Sequence, residues 1–169
     1  MSYGFDLIRL PNGLNRDEAC RLYLKEREET RDRATDRFGS IDPGKEQSKQ
    51  RLAQKLIARY PWLQIFLRNY AEIAQKLSVS ESEARRRFRN IELNGHAHSL
   101  QILLFDNEAG VNFSPGPNRQ RCDGDLRVLW DCLRTLESEG GFSTYDPQIG
   151  KLLNLDSDFE DVRSCACGN

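Results

Sequence analysis

The hydrophobic pattern of this chain changes period at Ile91, and that switch limits the fold more than any other feature. Before it, apolar residues recur at helical spacing. Leu52, Leu56 and Tyr60 lie on one such stripe, and Trp62, Phe66, Tyr70, Ile73 and Leu77 follow at steps of four, four, three and four. After it, "NIELNG", "HSLQILLFD" and "VNFSP" read as three strands of a meander, the last two joined by the turn "NEAG". Helices stacked only on helices would leave that second block without partners, so the chain must combine a sheet with helices.

The flanks complete the pattern. "YGFDLIRL" alternates and ends at "PNG", a first strand, and "FSTYD" and "KLLNL" flank the turn "DPQIG". Asn15 and Glu18 form a capping box for a first helix whose inner face carries Ala19, Leu22 and Tyr23. Ser80 and Glu83 form a second box for "ESEARRRFR". The loop "SPGPNRQRCDG" leads to a helix with Leu126, Leu129, Trp130, Leu133 and Leu136 on one face, stopped by Gly140 and Gly141. The order predicts an α+β fold: an antiparallel or mixed sheet with helices packed on one face, of split βαβ, ferredoxin-like character. Residues 1–155 form one domain with a helical insertion at about 45–90. The acidic segment 156–169 reads as a loosely held tail.

Composition narrows the function. With 38% hydrophobic and 30% charged residues the chain suits a globular domain, and a net charge of −1 gives it no overall attraction for phosphate. The run "KEREETRDRATDR", Lys25 to Arg37, holds five charges of each sign and reads as an exposed helix laced with side-chain pairs, not a nucleic-acid arm. No apolar run approaches the roughly 18 residues that span a bilayer, and "MSYGFDLIRL" lacks the marks of a signal peptide, so a cytoplasmic protein is expected. In that compartment the five scattered cysteines read as free thiols.

The segment "AEIAQKLSVSESEARRRF" has the outline of a helix-turn-helix spanning 71–90. Glu81 and Glu83, however, lead the second helix and would face the phosphates, while Arg85, Arg86, Arg87 and Arg89 follow at its far end. Those arginines complement the helix C-terminus and lie within reach of the two glutamates, so a capped bend accounts for every charge. "HAH", placing His96 and His98 on one face of a strand, and "CAC", Cys165 and Cys167, are candidate metal ligands if the fold joins them. Neither pair has the spacing of common zinc motifs.

No nucleophile elbow, phosphate loop or dinucleotide fingerprint occurs, so no cofactor is implied and binding is favoured over catalysis. The carboxylates of "FDNEAG" and "YDPQIG" fall in turns that Asp closes by its own hydrogen bonds. The candidate binding surface is basic: Arg85, Arg86, Arg87 and Arg89, joined by Arg119 and Arg121 from the loop after the meander.

The stretches "MSYGFDLIRLPNG", "IELNG...LQILLFDNEAGVNFS" and "GFSTYDPQIGKLLNL" together resemble a group of small, uncharacterised bacterial proteins. That group shares a Met-Ser-Tyr start, a strand-turn-strand meander and a Tyr-Asp-Pro-Gln turn, here Tyr145 to Gln148. The resemblance implies a role by protein–protein binding, as an immunity or accessory protein of a bacterial toxin. The chain departs from the group at "SPGPNRQR", where aromatic residues are expected, and the resemblance carries over no functional residue.

Overall fold

The computed structural model describes residues 3–11, 13–31, 41–116 and 118–167, with the side chains of 26–31 and 119 outside the description. The alternation after Ile91 is realised as strands β3 (Ile91–Gly95), β4 (Leu100–Leu104) and β5 (Glu108–Phe113). With β1 (Tyr3–Ile8), β2 (Gln64–Ile65), β6 (Ser143–Asp146) and β7 (Lys151–Leu152) they make a sheet of order β2-β3-β4-β5-β1-β6-β7. Every neighbouring pair is antiparallel. Because β1 runs against both β5 and β6, those two strands are parallel to each other with β1 between them, linked by helix α5 (Arg119–Gly140).

Register explains why one face is apolar. Tyr3 pairs with Phe113 and Phe113 with Leu100, and the next row on that face is Phe5, Val111, Ile102, Leu93 and Ile65. Helix α2 (Pro43–Arg59) supplies Leu52, Ala53 and Leu56 to this core, and α5 supplies Leu126, Leu129, Trp130, Leu133 and Leu136, as its spacing predicts. Each such leucine taken out of water contributes about 2 kcal/mol before the entropy of ordering it. The alternate residues Glu92, Asn94, Gln101 and Asn112 lie on the other face. There Gln101 and Asn94 donate to Glu92 Oε1 at 2.8 and 3.1 Å, and Asn112 donates to Gln101 at 2.8 Å.

The predicted caps are present. Glu18 N–H donates to Asn15 Oδ1 at 2.9 Å at the start of α1 (Arg16–Arg31), and Glu83 N–H donates to Ser80 Oγ at 3.1 Å at the start of α4 (Glu81–Arg87). Gly141 closes α5 at φ 66°, a conformation that favours glycine. Within α1, Ala19 is buried, but Leu22, placed on the inner face by its spacing, is exposed. Residues 32–37 of the charge run lie outside the described residues.

Three expectations are corrected. The stripe from Trp62 to Leu77 is not one core helix: Gln64–Ile65 is strand, and helix α3 (Tyr70–Leu77) starts only after the cap at Asn69. Steps of four put residues on one side of a strand as readily as on one face of a helix, so the spacing could not separate the two. The segment after Asp156 is not a loose tail. Phe159–Cys167 forms helix α6, with Val162 buried, Phe159 edge-on to Trp130 at 5.3 Å, and Arg163 donating to both oxygens of Asp123 at 2.8 and 3.1 Å. Finally, Cys122 and Cys167 are not free thiols but form a disulfide between α5 and α6. Their partners lie on elements far apart in sequence, which spacing alone does not reveal. Among the described residues, no helix is long and apolar enough to cross a membrane.

Candidate partner-binding surface

The predicted arginines divide into two groups. Arg85, Arg86 and Arg87 stand exposed on α4, each bound to a glutamate one turn earlier: Arg85 to Glu81 at 2.7 Å, Arg86 and Arg87 both to Glu83 at 2.7 Å. Those two guanidiniums hold the Glu83 carboxyl down to about 2. Arg89 turns inward instead. It bonds Asp106 and lies 3.4 Å from Glu46, while Lys49, almost fully buried, lies 2.7 Å from Glu46 and 3.0 Å from Asp106. Burial alone would raise the Asp106 carboxyl, but Arg89 and Lys49 more than offset this and keep it below its usual range. Two cations and two carboxylates thus lock α2 to the β4–β5 turn, a structural role for Arg89.

Arg119 and Arg121 belong to α5, not to a loop. Arg121 donates to the carbonyl of Ala97 at 3.0 Å, beyond the end of β3, whereas α4 feeds the start of β3 at Ile91. The length of β3, about 15 Å, therefore separates the backbone that Arg121 contacts from the end of α4.

The metal candidates are not brought together either. His96–His98 is a single 3₁₀ turn, not a strand, and Cys167 is committed to its disulfide. No group of three metal-ligating side chains occurs among the described residues. His98 Nδ1 lies 2.8 Å from Asp125 Oδ1 and its ring stands edge-on to Trp62 at 4.8 Å. A carboxylate beside Nδ1 can orient an imidazole for proton transfer, but among the described residues no hydroxyl or thiol is hydrogen-bonded to His98 to receive that action. Asp146 likewise serves structure: buried, it accepts from Tyr3 Oη at 2.6 Å and from the backbone N–H of Gln148 at 2.8 Å, closing the turn as the sequence implied.

A different surface emerges beside α4. Ile65, Phe66 and Leu67 are 49%, 49% and 85% exposed on and just after the outermost strand β2. They line a groove of about 340 Å³ with Tyr70, Arg68 and Arg85. Arg85 sits 4.5 Å over the Tyr70 ring, and Arg68 is anchored to Glu92 at 3.0 Å and to the carbonyl of Asn90 at 2.6 Å. Phe66 N–H is spent on the Glu92 carbonyl of β3, so by alternation the amide groups of Ile65 and Leu67 point away from β3. Sequence reasoning absorbed Phe66 into a core stripe. The overlooked signal is that three consecutive apolar residues cannot all face one side of a strand or helix, so the run had to expose at least one. Compared with known proteins, the chain matches no family model, no curated protein and no solved structure.

Proposed function

We propose that this chain acts by binding another protein, which adds an extended, acidic segment alongside β2 and seats apolar side chains against Ile65, Phe66, Leu67 and Tyr70. The observation that carries the reading is the exposed apolar run on the sheet's open edge. An unprotected edge with outward amides is a template for strand addition, and native proteins otherwise blunt such edges with charge or proline. Charge selects the occupant. Three guanidiniums (Arg68, Arg85, Arg89) and one carboxylate (Glu92) are among the residues lining the groove, so a segment bearing Asp or Glu meets a surface of opposite sign. The resemblance in sequence makes a bacterial toxin the partner class to examine first, with this chain as its immunity or accessory protein.

Glu81 and Glu83 weigh against the helix-turn-helix reading, because they stand at the leading end of α4 and Glu83 pairs with both Arg86 and Arg87. The test is a titration of labelled protein with a short peptide of alternating valine and glutamate, followed by amide chemical shifts. Shifts confined to Ile65–Tyr70 and Glu92, abolished in Phe66→Glu and Leu67→Glu proteins of unchanged circular dichroism, are expected. Shifts that survive both substitutions, or that fall elsewhere, overturn the reading.

A further inference from the structure

Away from the β2 edge, a cleft of about 450 Å³ opens where the start of α1, the last turns of α5 and the segment after β7 meet. Two arginines from different helices enter it. Arg16 donates to the carbonyl of Leu153, and Arg134 donates to the carbonyl of Leu155 at 2.8 Å. The Leu155 carbonyl also accepts from the indole of Trp130 at 2.8 Å, and Asp158 Oδ2 accepts from the Asn154 amide at 2.8 Å, so the wall between them is held from several sides. A third guanidinium, Arg9, stacks 4.7 Å over the ring of Phe142, which lines the same cleft.

The charges there are lopsided. A guanidinium has five N–H donors, and a carbonyl satisfies one without cancelling the positive charge. Among the described residues lining the cleft, the carboxylates are Asp156, itself 91% exposed and 3.2 Å from the half-exposed Arg134, and Glu137, whose Oε1 is occupied by the backbone N–H of Thr144 at 2.8 Å. An exposed ion pair of the first kind is worth little. Bracing the 153–155 segment would need hydrogen bonds but not charge, and a neutral side chain could supply those.

We infer that this cleft is a binding site for a small oxyanion-bearing molecule, a carboxylate or a phosphate monoester, held between Arg16 and Arg134. A hydroxyl or amine on the same molecule would face Glu137. The volume lies within the range of small-ligand sites, and paired guanidiniums are the side chains that grip planar or tetrahedral oxyanions in two-point fashion.

Inorganic phosphate, acetate and glycolate serve as probes, each titrated into the full chain against sodium chloride of equal ionic strength, with amide shifts and the thermal midpoint recorded. Saturable shifts at Leu153–Asp156 and Ser138, with a midpoint rise absent from the chloride control, are expected. The phosphate and acetate arms decide which oxyanion the site prefers, and tighter binding of glycolate than of acetate would place a donor at Glu137. Arg134→Gln, exposed enough to leave the fold intact, should weaken binding roughly tenfold or more; Arg16→Gln should do the same. No saturable shift with any probe, or binding unchanged in both variants, refutes the site. If the arginines only brace the wall, both variants lower the midpoint equally in anion and in chloride, and the inference fails.

Discussion

Removing the Cys122–Cys167 bond by the double substitution Cys122→Ser/Cys167→Ser isolates the contribution of a covalent link that joins α5 to α6. The two residues are 45 apart in sequence. Closing a loop of that length in the unfolded chain removes entropy equivalent to about 4 kcal/mol at room temperature. Helix α6 keeps its other attachments in the variant: Val162 in the core, Phe159 between Trp130 and the guanidinium of Arg127 at 5.0 Å, and Arg163 on Asp123. The native state should therefore retain its contacts, and the loss should come from the unfolded chain regaining freedom. In urea, followed by tryptophan fluorescence and far-UV circular dichroism together, one transition is expected for both proteins. Its midpoint should be lower in the variant by about 2 M, taking a slope of roughly 2 kcal/mol per molar. Wild type with reductant should behave like the variant, and Cys165→Ser, at an exposed free thiol, should not shift. A midpoint change below about 0.5 M, or an early fluorescence step that melts α6 alone, would refute the loop-entropy account. In any reducing compartment the pair would be thiols and this contribution absent.

Other outcomes follow from buried and paired charges. Lys49→Met leaves Glu46, Asp106 and Arg89 with unbalanced charge; since the two acids keep side-chain exposures of 25% and 17%, the loss should be about 2 kcal/mol by urea unfolding, below that for a fully buried pair. Glu83 is held well below an unfolded glutamate by Arg86 first and Arg87 second, so whatever it contributes is present above the unfolded value of 4.5 and is lost as pH falls toward about 2. A side-chain carboxyl titration by NMR should find that low midpoint in wild type and a return toward 4.5 in Arg86→Gln/Arg87→Gln. Burial, and secondarily Asp131, pushes the Cys132 thiol up to about 12. Its protonated form favours the folded state, and that contribution is complete below pH 9.0 and declines as pH rises toward 12. With a thiol-reactive dye at neutral pH, Cys165 should label quickly and Cys132 only after unfolding.

The sequence by itself determined what is decided within a few residues. The alternation of "IELNG" and "LQILLF" made strands, the pairs Asn15/Glu18 and Ser80/Glu83 placed helix starts, and the stripe from Leu126 to Leu136 chose the buried face of α5. Each depends on backbone geometry that repeats every two or 3.6 residues. Where both periods fit, as from Trp62 to Tyr70, the sequence was ambiguous, and only pairing with β3 made Gln64–Ile65 a strand and left Phe66 and Leu67 outside. The tertiary structure alone decided which distant groups meet. It sent Arg89 to Asp106 instead of the surface, joined Cys122 to Cys167, tied Arg163 to Asp123, and brought Arg16 and Arg134 to one cleft. Such contacts are fixed by how the sheet orders its strands and how the helices pack across it, and no periodicity along the chain records that arrangement.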